Sequence, residues 1–344
     1  MNYDSDRYIS WQDAIDKLPE VRTWDDWGEI FLDVPTWAPL VREICRRAGI
    51  PCDTIVAGYP GSNAVFIVNR KTVQTRAVVK IYAPLCREDY DFEREIHLLL
   101  EPRPALGAPR LLAHGRLEAA SVWPYVVLAY IPGEPIREVR DRLSDDDVTR
   151  IARGLGHRIR VLHTIQPASL HSLDVTRQGW DRYVASSSAR CTAQLRRRTK
   201  LPQSVISKLP AFIADVLAEQ PDPELVLVSG DITEDHVMLE QTAEGWCISG
   251  VIDFADARVA PREYEWPALW FSALDCDYAA LETLMAAYDP SQALDRAFQR
   301  RAMAYTLLHE FGAHIIAEVI PPRLAADIDS IRDLQAVLWA ETDT

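Results

Sequence analysis

Along this chain the spacing of apolar residues switches between helical and strand periods, and the switches divide it. Residues 1–35 are polar with interleaved Trp11, Trp24 and Trp27, which fits a short helical extension packed on a body. Trp37 to Ala48 carries an amphipathic helical pattern stopped by Gly49 and Pro51. Three short β-rich runs follow, Thr54–Ala57, Ala64–Val68 and Ala77–Tyr82, separated by turn-forming residues as in an antiparallel meander. Glu88 to Glu101 returns to helical spacing through Phe92, Ile96 and Leu99, and Pro102 and Pro104 end it. Arg110–Ala113 and Tyr125–Tyr130 add two strands before Ile131-Pro132-Gly133 breaks the chain.

Beyond that break the pattern is helical. Ser144 and Asp147 form a capping-box start, and Val148, Ile151, Leu155, Ile159 and Leu162 trace one apolar face. Further helices fit 180–220 and about 264–340. Between them lies a β-like insert of Leu225–Val228, Val237–Glu240 and Trp246–Ile252. Five strands with one helix, then a mostly helical half, predict a two-lobed α+β fold. The expected divisions are an N-terminal helical extension over 1–50, a lobe over 51–132 and a second lobe over 133–344.

Composition narrows the function classes. The formal net charge is −14, which disfavours a phosphate-backbone binder and so a nucleic-acid partner. The charge is uneven: from Val251 to Thr344 sixteen acidic residues face seven basic ones, whereas Ser186 to Ile213 holds six basic residues and no acidic one. The acidic region suits a cationic substrate or a solvated surface, and Arg196-Arg197-Arg198 reads as a solvated helix face. Apolar stretches are too short to span a membrane, and the N-terminus lacks a signal-peptide pattern. Six scattered cysteines without a C-x-x-C pair read as reduced thiols of a cytoplasmic protein. The oligomeric state is not legible.

Candidate chemistry concentrates in the β-like insert. Val226-Leu227-Val228 delivers Ser229-Gly230-Asp231 into a polar loop, and His236 stands at the start of the next strand. Another strand ends in Val251-Ile252-Asp253-Phe254, placing Asp253 22 residues after Asp231. Phosphoryl transfer needs two such carboxylates at strand mouths: one to receive or orient the attacking hydroxyl's proton, one to hold Mg²⁺ on the phosphates. This stretch resembles the catalytic and metal-binding loops of the aminoglycoside phosphotransferase and choline kinase-like superfamily, whose pattern is H-G-D-x-x-x-x-N followed by I-D-[FW]. The resemblance covers about residues 55–270. It implies a bilobal protein-kinase-like fold with a five-stranded antiparallel N-terminal sheet, Asp231 as the catalytic residue and Asp253 as the principal metal ligand. Two departures stand out: Ser229 replaces the usual His, and His236 the usual metal-binding Asn. Either His236 ligates Mg²⁺ or Mn²⁺ through one nitrogen, or it orients Asp231 or phosphate.

The earlier half supplies matching parts. Gly58-Tyr59-Pro60-Gly61-Ser62-Asn63 lies between strands, where Gly61, Ser62 and Asn63 can present backbone N–H groups to phosphates. Lys80 stands alone inside an apolar strand, and in the kinase pattern such a lysine holds the α- and β-phosphates and pairs with a glutamate of the next helix. Glu95 is the best match for that partner and Glu93 the fallback. Tyr125 to Gly133 resembles the strand and hinge of the family, whose backbone at Ala129 and Ile131 would meet the base of ATP or GTP. His163 at the end of a helix reads as structural. His309 and His314 are spaced by five, about 140° apart on one helix, and so do not form a zinc pair.

These readings point to a kinase that moves the γ-phosphate of ATP or GTP to a hydroxyl of an aminoglycoside-like or nucleoside-type antibiotic, or of a related metabolite. A protein kinase-like enzyme is disfavoured because no A-P-E segment follows Asp253. A catalytically inactive nucleotide-binding regulatory module has support only from Ser229 and His236. For the acceptor, Glu263, Glu265, Trp266 and Glu310 are the leading residues, with Asp275, Asp277, Trp180, Trp270, Phe271 and Tyr278 as further carboxylates and aromatics.

Overall fold

The computed structural model describes residues 10–59, 61–70, 73–86, 89–118, 122–167, 170–220 and 222–339, in two compact units. The first joins the chain up to Pro102 with Ala108–Ile131; the second joins Arg103–Gly107 with the chain from Pro132. Pro60, Lys71, Thr72 and Glu88, which belong to segments read above, lie outside the described residues.

The first unit opens with α1 (Trp11–Ile15), α2 (Trp24–Gly28) and α3 (Val34–Ala48). Side chains of Ser10, Thr23 and Asp33 cap their first turns, and Gly49 ends α3 in the left-handed conformation at φ 68°. Five strands follow: β1 (Thr54–Ala57), β2 (Ala64–Arg70), β3 (Val73–Ile81), β4 (Leu111–Glu118) and β5 (Val122–Ala129), with α4 (Asp89–Leu100) after β3. They pair antiparallel in the order β1-β2-β3-β5-β4.

Because side chains alternate along a strand, the sheet presents two different faces. Phe66, Val68, Ala77, Val79 and Ile81 share a core with Trp27, Trp37, Leu40 and Ile44 of α2 and α3. Thus the N-terminal helices complete the core of this unit rather than decorating it. The opposite face carries Val78, Tyr82, Val126 and Leu128, packed with Tyr90 of α4. Lys80 belongs to that second face by alternation, and its strand is central, paired with both β2 and β5.

The second unit contains β6 (Glu134–Pro135), α5 (Ile136–Val139), α6 (Asp145–His163), α7 (Arg177–Arg198), α8 (Gln203–Ile206) and α9 (Leu209–Ala218). Then come β7 (Leu225–Val228), β8 (Val237–Thr242), β9 (Gly245–Val251) and β10 (Arg258–Pro261). Helices α10 (Trp266–Ala268), α11 (Tyr278–Tyr288), α12 (Arg296–Leu308), α13 (Gly312–Val319), α14 (Pro322–Ala326) and α15 (Ile331–Trp339) finish it. Two small antiparallel sheets, β6-β8-β9 and β7-β10, hold the loops of interest among these helices. The α6 start is the expected capping box: Ser144 and Asp147 exchange side-chain-to-backbone hydrogen bonds. No helix among the described residues is long and apolar enough to cross a membrane, and all six cysteines are free thiols.

Candidate functional site

In the second unit, β7 runs into Ser229-Gly230-Asp231, and the backbone there is gripped from two sides. The carboxylate of Glu265, which is fully buried, accepts the N–H of Ser229 at 2.8 Å and of Gly230 at 3.2 Å. His309 Nε2 donates to the Gly230 carbonyl at 2.8 Å, and His309 Nδ1 accepts the Phe311 N–H at 3.3 Å. Both ring nitrogens are thereby satisfied in the neutral form, and complete burial pushes the His309 pKa down to about 3. Gly230 sits at φ 71°, and a Cβ there would come within 3.3 Å of the Asp256 carbonyl and the Tyr264 ring. Only glycine meets both demands.

The loop then turns tightly. Thr233 N–H donates to the Asp231 carbonyl at 2.9 Å, and His236 N–H to the Thr233 carbonyl at 3.1 Å. His236 Nδ1 lies 2.7 Å from the Asp231 carbonyl oxygen, 3.2 Å from Thr233 Oγ1 and 3.3 Å from Asp231 Oδ2. A carbonyl only accepts, so Nδ1 carries a proton there. In the neutral ring Nε2 then keeps its lone pair. The β8–β9 register pairs Val237 with Val251, and Ile252 N–H donates to the His236 carbonyl at 2.9 Å. His236 and Asp253 therefore emerge at the same end of one strand pair. Asp253 itself adopts φ 58°, uncommon for a residue with a side chain, and its Oδ1 accepts the Ala255 N–H at 3.2 Å.

Electrostatics follow from this crowding. Burial pushes the Asp231 carboxyl up to about 7; the imidazole of His236 opposes the rise, and Asp256 and Asp253 add to it. Burial works against a charged His236, but the carboxylates of Asp253 and Asp231 outweigh it and raise its pKa. Among the described residues no group of three or more His, Cys, Asp or Glu side chains is poised to hold a metal. The Asp253 carboxylate, and the His236 Nε2 once a cation displaces its proton, fit a metal that takes its remaining ligands from phosphate oxygens and water, as Mg²⁺ and Mn²⁺ do.

Beside Asp231 and His236 lies a cavity of about 360 Å³, lined also by Arg137, Phe271, Asp275, Phe311 and Ile315. The residues favoured from sequence for substrate contact lie elsewhere. Glu265 is the brace described above, and Trp266 is 2% exposed, stacked edge-on against Tyr288. Glu263 is buried beside Arg301, and Glu310 accepts a hydrogen bond from Arg190 at 2.9 Å. For the first three the reason is local: residues 262–265 form a 3-10 turn directly after β10 and run into α10, which buries Glu263, Glu265 and Trp266. Trp180 and Trp270 are likewise core, whereas Phe271 reaches the cavity. His163 bonds Tyr288 Oη at 2.8 Å and lies 3.4 Å from Glu265, a structural station. His309 and His314 are not on one helix: one follows α12 and the other lies in α13.

In the first unit, Lys80 Nζ sits 2.8 Å from Glu93 Oε2 and 2.9 Å from Glu93 Oε1. The partner is Glu93, where the sequence favoured Glu95. Glu93, Ile96, His97 and Leu100 form the buried stripe of α4, and Glu95 lies about 200° around the helix from Glu93. Tyr82 Oη donates to Glu93 Oε2 at 2.6 Å. In the loop before β2, Gly61 and Ser62 are exposed. Asn63 is turned inward, its Oδ1 accepting the Ala83 N–H at 3.1 Å, and Trp27 Nε1 donates to the Ser62 carbonyl at 2.9 Å. Ala129 N–H donates to the Arg110 carbonyl at 2.8 Å, so that residue can offer a ligand only its carbonyl. Ile131 closes the unit, half-buried.

No curated protein matches the sequence significantly. Solved structures of similar fold include the GDP complex of wild-type aminoglycoside 2'-phosphotransferase-IIIa, 17% identical with a TM-score of 0.61, over 87% of this chain and 95% of that one. The GDP and kanamycin complex of APH(2")-IIia is 18% identical with a TM-score of 0.64, over 87% and 95%. The aminoglycoside phosphotransferase APH(3'')-Id from Streptomyces rimosus is 17% identical with a TM-score of 0.53, over 81% and 99%. At such identities the likeness is one of fold. The sequence itself matches the family model described as the APH phosphotransferase enzyme family over residues 58–305. Since that match spans most of its length, the chain belongs to the phosphotransferase enzyme family and is a kinase-type phosphotransferase.

Proposed function

We propose that the protein moves the γ-phosphate of ATP or GTP to a hydroxyl of a small molecule, an antibiotic or a related metabolite. In this reading residues 51–132 serve the nucleotide and residues 133–344 serve catalysis and acceptor binding. Asp231 receives the proton of the attacking hydroxyl, and the nucleoside diphosphate leaves. Asp253, with His236 through Nε2, holds Mg²⁺ or Mn²⁺, which neutralises charge on the phosphates. Lys80, oriented by Glu93, aligns the α- and β-phosphates. Backbone N–H groups of Gly61, Ser62 and Asn63 face the phosphates, and the backbone of Ala129 and Ile131 meets the base. Nucleotide use also agrees with the solved structures of similar fold, several of which are GDP, ADP or ATP complexes.

The observation that carries the reading is Asp231 itself. Its loop is locked by Glu265 and His309, its carboxyl is held near neutrality, and it lines the cavity. A general base works best with a pKa near the working pH. The test is transfer of labelled γ-phosphate to an acceptor panel by wild type, Asp231→Asn and Asp253→Ala. Asp231→Asn should lose roughly 10²-fold or more in transfer while still binding nucleotide. Asp253→Ala should abolish metal-dependent turnover. Retention of more than a few per cent of activity by folded Asp253→Ala would remove the metal assignment, and unchanged transfer by Asp231→Asn would remove the proposed base.

A further inference from the structure

Asp253, the metal ligand of the function proposed above, holds a backbone conformation at φ 58° that persists only where the surroundings enforce it. Two local bonds shape its turn, Ala255 N–H to Asp253 Oδ1 and Ala257 N–H to the Phe254 carbonyl, both at 3.2 Å. Arg258 then begins β10, and it pairs with Val228, the residue before Ser229. One strand pair thus follows the metal loop on one side and leads into the catalytic loop on the other.

The Arg258 side chain doubles back on that turn. Its Nε lies 3.5 Å from the Asp256 carbonyl oxygen, the same oxygen that faces Gly230. Its guanidinium stands 4.5 Å from the centre of the Tyr183 ring and 5.0 Å from that of Tyr264. Both rings are fixed. Tyr183 Oη donates to the Leu308 carbonyl at 2.9 Å, so Tyr264 Oη donates to Tyr183 Oη at 2.6 Å while accepting the Glu310 N–H at 2.9 Å. Tyr264 also lies nearly parallel to the His309 imidazole at 4.8 Å, and His309 holds the Gly230 carbonyl. One aromatic slot therefore meets the catalytic loop through His309 and the metal loop through Arg258. The carboxylate beside it, Glu310, stands 3.8 Å from Arg258 and already accepts Arg190 at 2.9 Å. Ion pairing does not account for a guanidinium only 18% exposed.

We infer that Arg258 is a positioning residue for the metal loop: clamped between Tyr183 and Tyr264, its guanidinium holds the Asp256 carbonyl and so keeps Asp253 in the conformation that serves the metal. The inference rests on the reading of Asp253 as a metal ligand. The charge of Arg258 by itself acts in the opposite direction. A cation close to Asp253 repels Mg²⁺ or Mn²⁺, so removing a mere counter-charge tightens metal binding, whereas removing a positioning contact weakens it. The sign of the change separates the two roles.

The experiment uses the full chain without an acceptor. Mn²⁺ affinity is measured by paramagnetic resonance in the presence of a non-hydrolysable ATP or GTP analogue, and amide hydrogen exchange is measured without metal. Arg258→Met fills the slot between the rings and leaves Glu310 its bond from Arg190. Its Mn²⁺ affinity should fall about 10-fold. The amides of Ala255 and Ala257 should exchange about 10-fold faster, while those of α6 and α11 keep wild-type rates. Arg258→Lys keeps the charge but loses the flat contact and the Nε–H, so it should move both readouts in the same direction. If the methionine variant does not fold, the lysine variant carries the test. Mn²⁺ affinity that is unchanged or tighter overturns the inference, and so does faster exchange spread evenly over α6 and α11. Asp253→Ala keeps the two readings apart. If that variant binds Mn²⁺ as wild type does, the metal assignment fails, and exchange at Ala255 and Ala257 alone decides whether Arg258 holds the turn.

Discussion

Glu93 answers to several groups at once: Lys80 at 2.8 Å, the Tyr82 hydroxyl at 2.6 Å and His97 at 3.7 Å. A carboxylate that is 1% exposed and so engaged is fixed in place, and it fixes the ammonium in turn. Glu93→Gln should therefore damage nucleotide use nearly as much as Lys80→Ala, whereas Glu95→Gln should stay within about twofold of wild type. Equal losses for the two glutamine variants would mean that the ion pair does not position Lys80. His236 offers a second contrast. His236→Asn should be tolerated if the imidazole serves as a metal ligand, since an amide oxygen suits Mg²⁺ at least as well. Preference should then move from Mn²⁺ towards Mg²⁺, measured both as activation and as metal affinity with bound nucleotide. If His236→Asn is as inactive as Asp231→Asn in both metals with binding intact, the imidazole moves a proton or contacts phosphate instead. A residue was legible where chemistry forced its placement: the lone lysine in an apolar strand does pair with a glutamate of the next helix. Glu95 was misjudged because two glutamates lie two residues apart, and helix phase alone separates them.

At the level of elements, the catalytic loop depends on parts far from it in sequence. Glu265 and His309 reach it from the segments after β10 and α12 and satisfy three of its backbone groups. Sequence patterns could place the strands, since alternation and turn residues are local. They could not show that Glu265 is a brace, because its partners are backbone N–H groups 35 and 36 residues away. The same limit hid β10: a four-residue run of mixed residues, Arg258–Pro261, carries no period of its own. His309 makes the brace testable by pH. Its folded pKa of about 3 lies below the unfolded value of 6.5, so below pH 6.5 the unfolded chain takes up a proton that the folded chain refuses. The stabilising contribution is complete above 6.5 and is lost as pH falls towards 3. At pH 5 the loss from this group alone is about 2 kcal/mol. His309→Gln, which keeps a donor for the Gly230 carbonyl, should flatten the fall in unfolding free energy between pH 7.5 and pH 5 by about that amount. Parallel falls in variant and wild type would show that His309 titrates normally and is not the buried neutral donor described.

Taken as a whole molecule, the chain uses α1, α2 and α3 to complete the core of its first unit. The polar, tryptophan-bearing start reads as an extension because its apolar residues are sparse, but Trp27 packs with Trp37, Leu40, Val41 and Ile44 against one face of the sheet. Trp27 is 2% exposed, meets Trp37 edge-on at 5.8 Å and lies parallel to Trp123 at 6.3 Å. Its indole N–H also holds the Ser62 carbonyl, so it joins the core to the loop proposed to face the phosphates. The two roles separate by substitution. Trp27→Ala removes a large buried ring and should lower stability by about 3–5 kcal/mol, enough to leave the variant largely unfolded at 37 °C if the first unit is ordinarily marginal. Trp27→Phe keeps most of the ring but leaves the Ser62 carbonyl without its donor, at a stability loss of about 1–2 kcal/mol. The variant should remain folded, exchange the amide hydrogens around Gly61 and Ser62 faster, and show a nucleotide KM raised severalfold with kcat nearly unchanged. If exchange and KM both stay at wild-type values while thermal stability falls, Trp27 serves the core alone and the loop is positioned by Asn63 and its bond to Ala83.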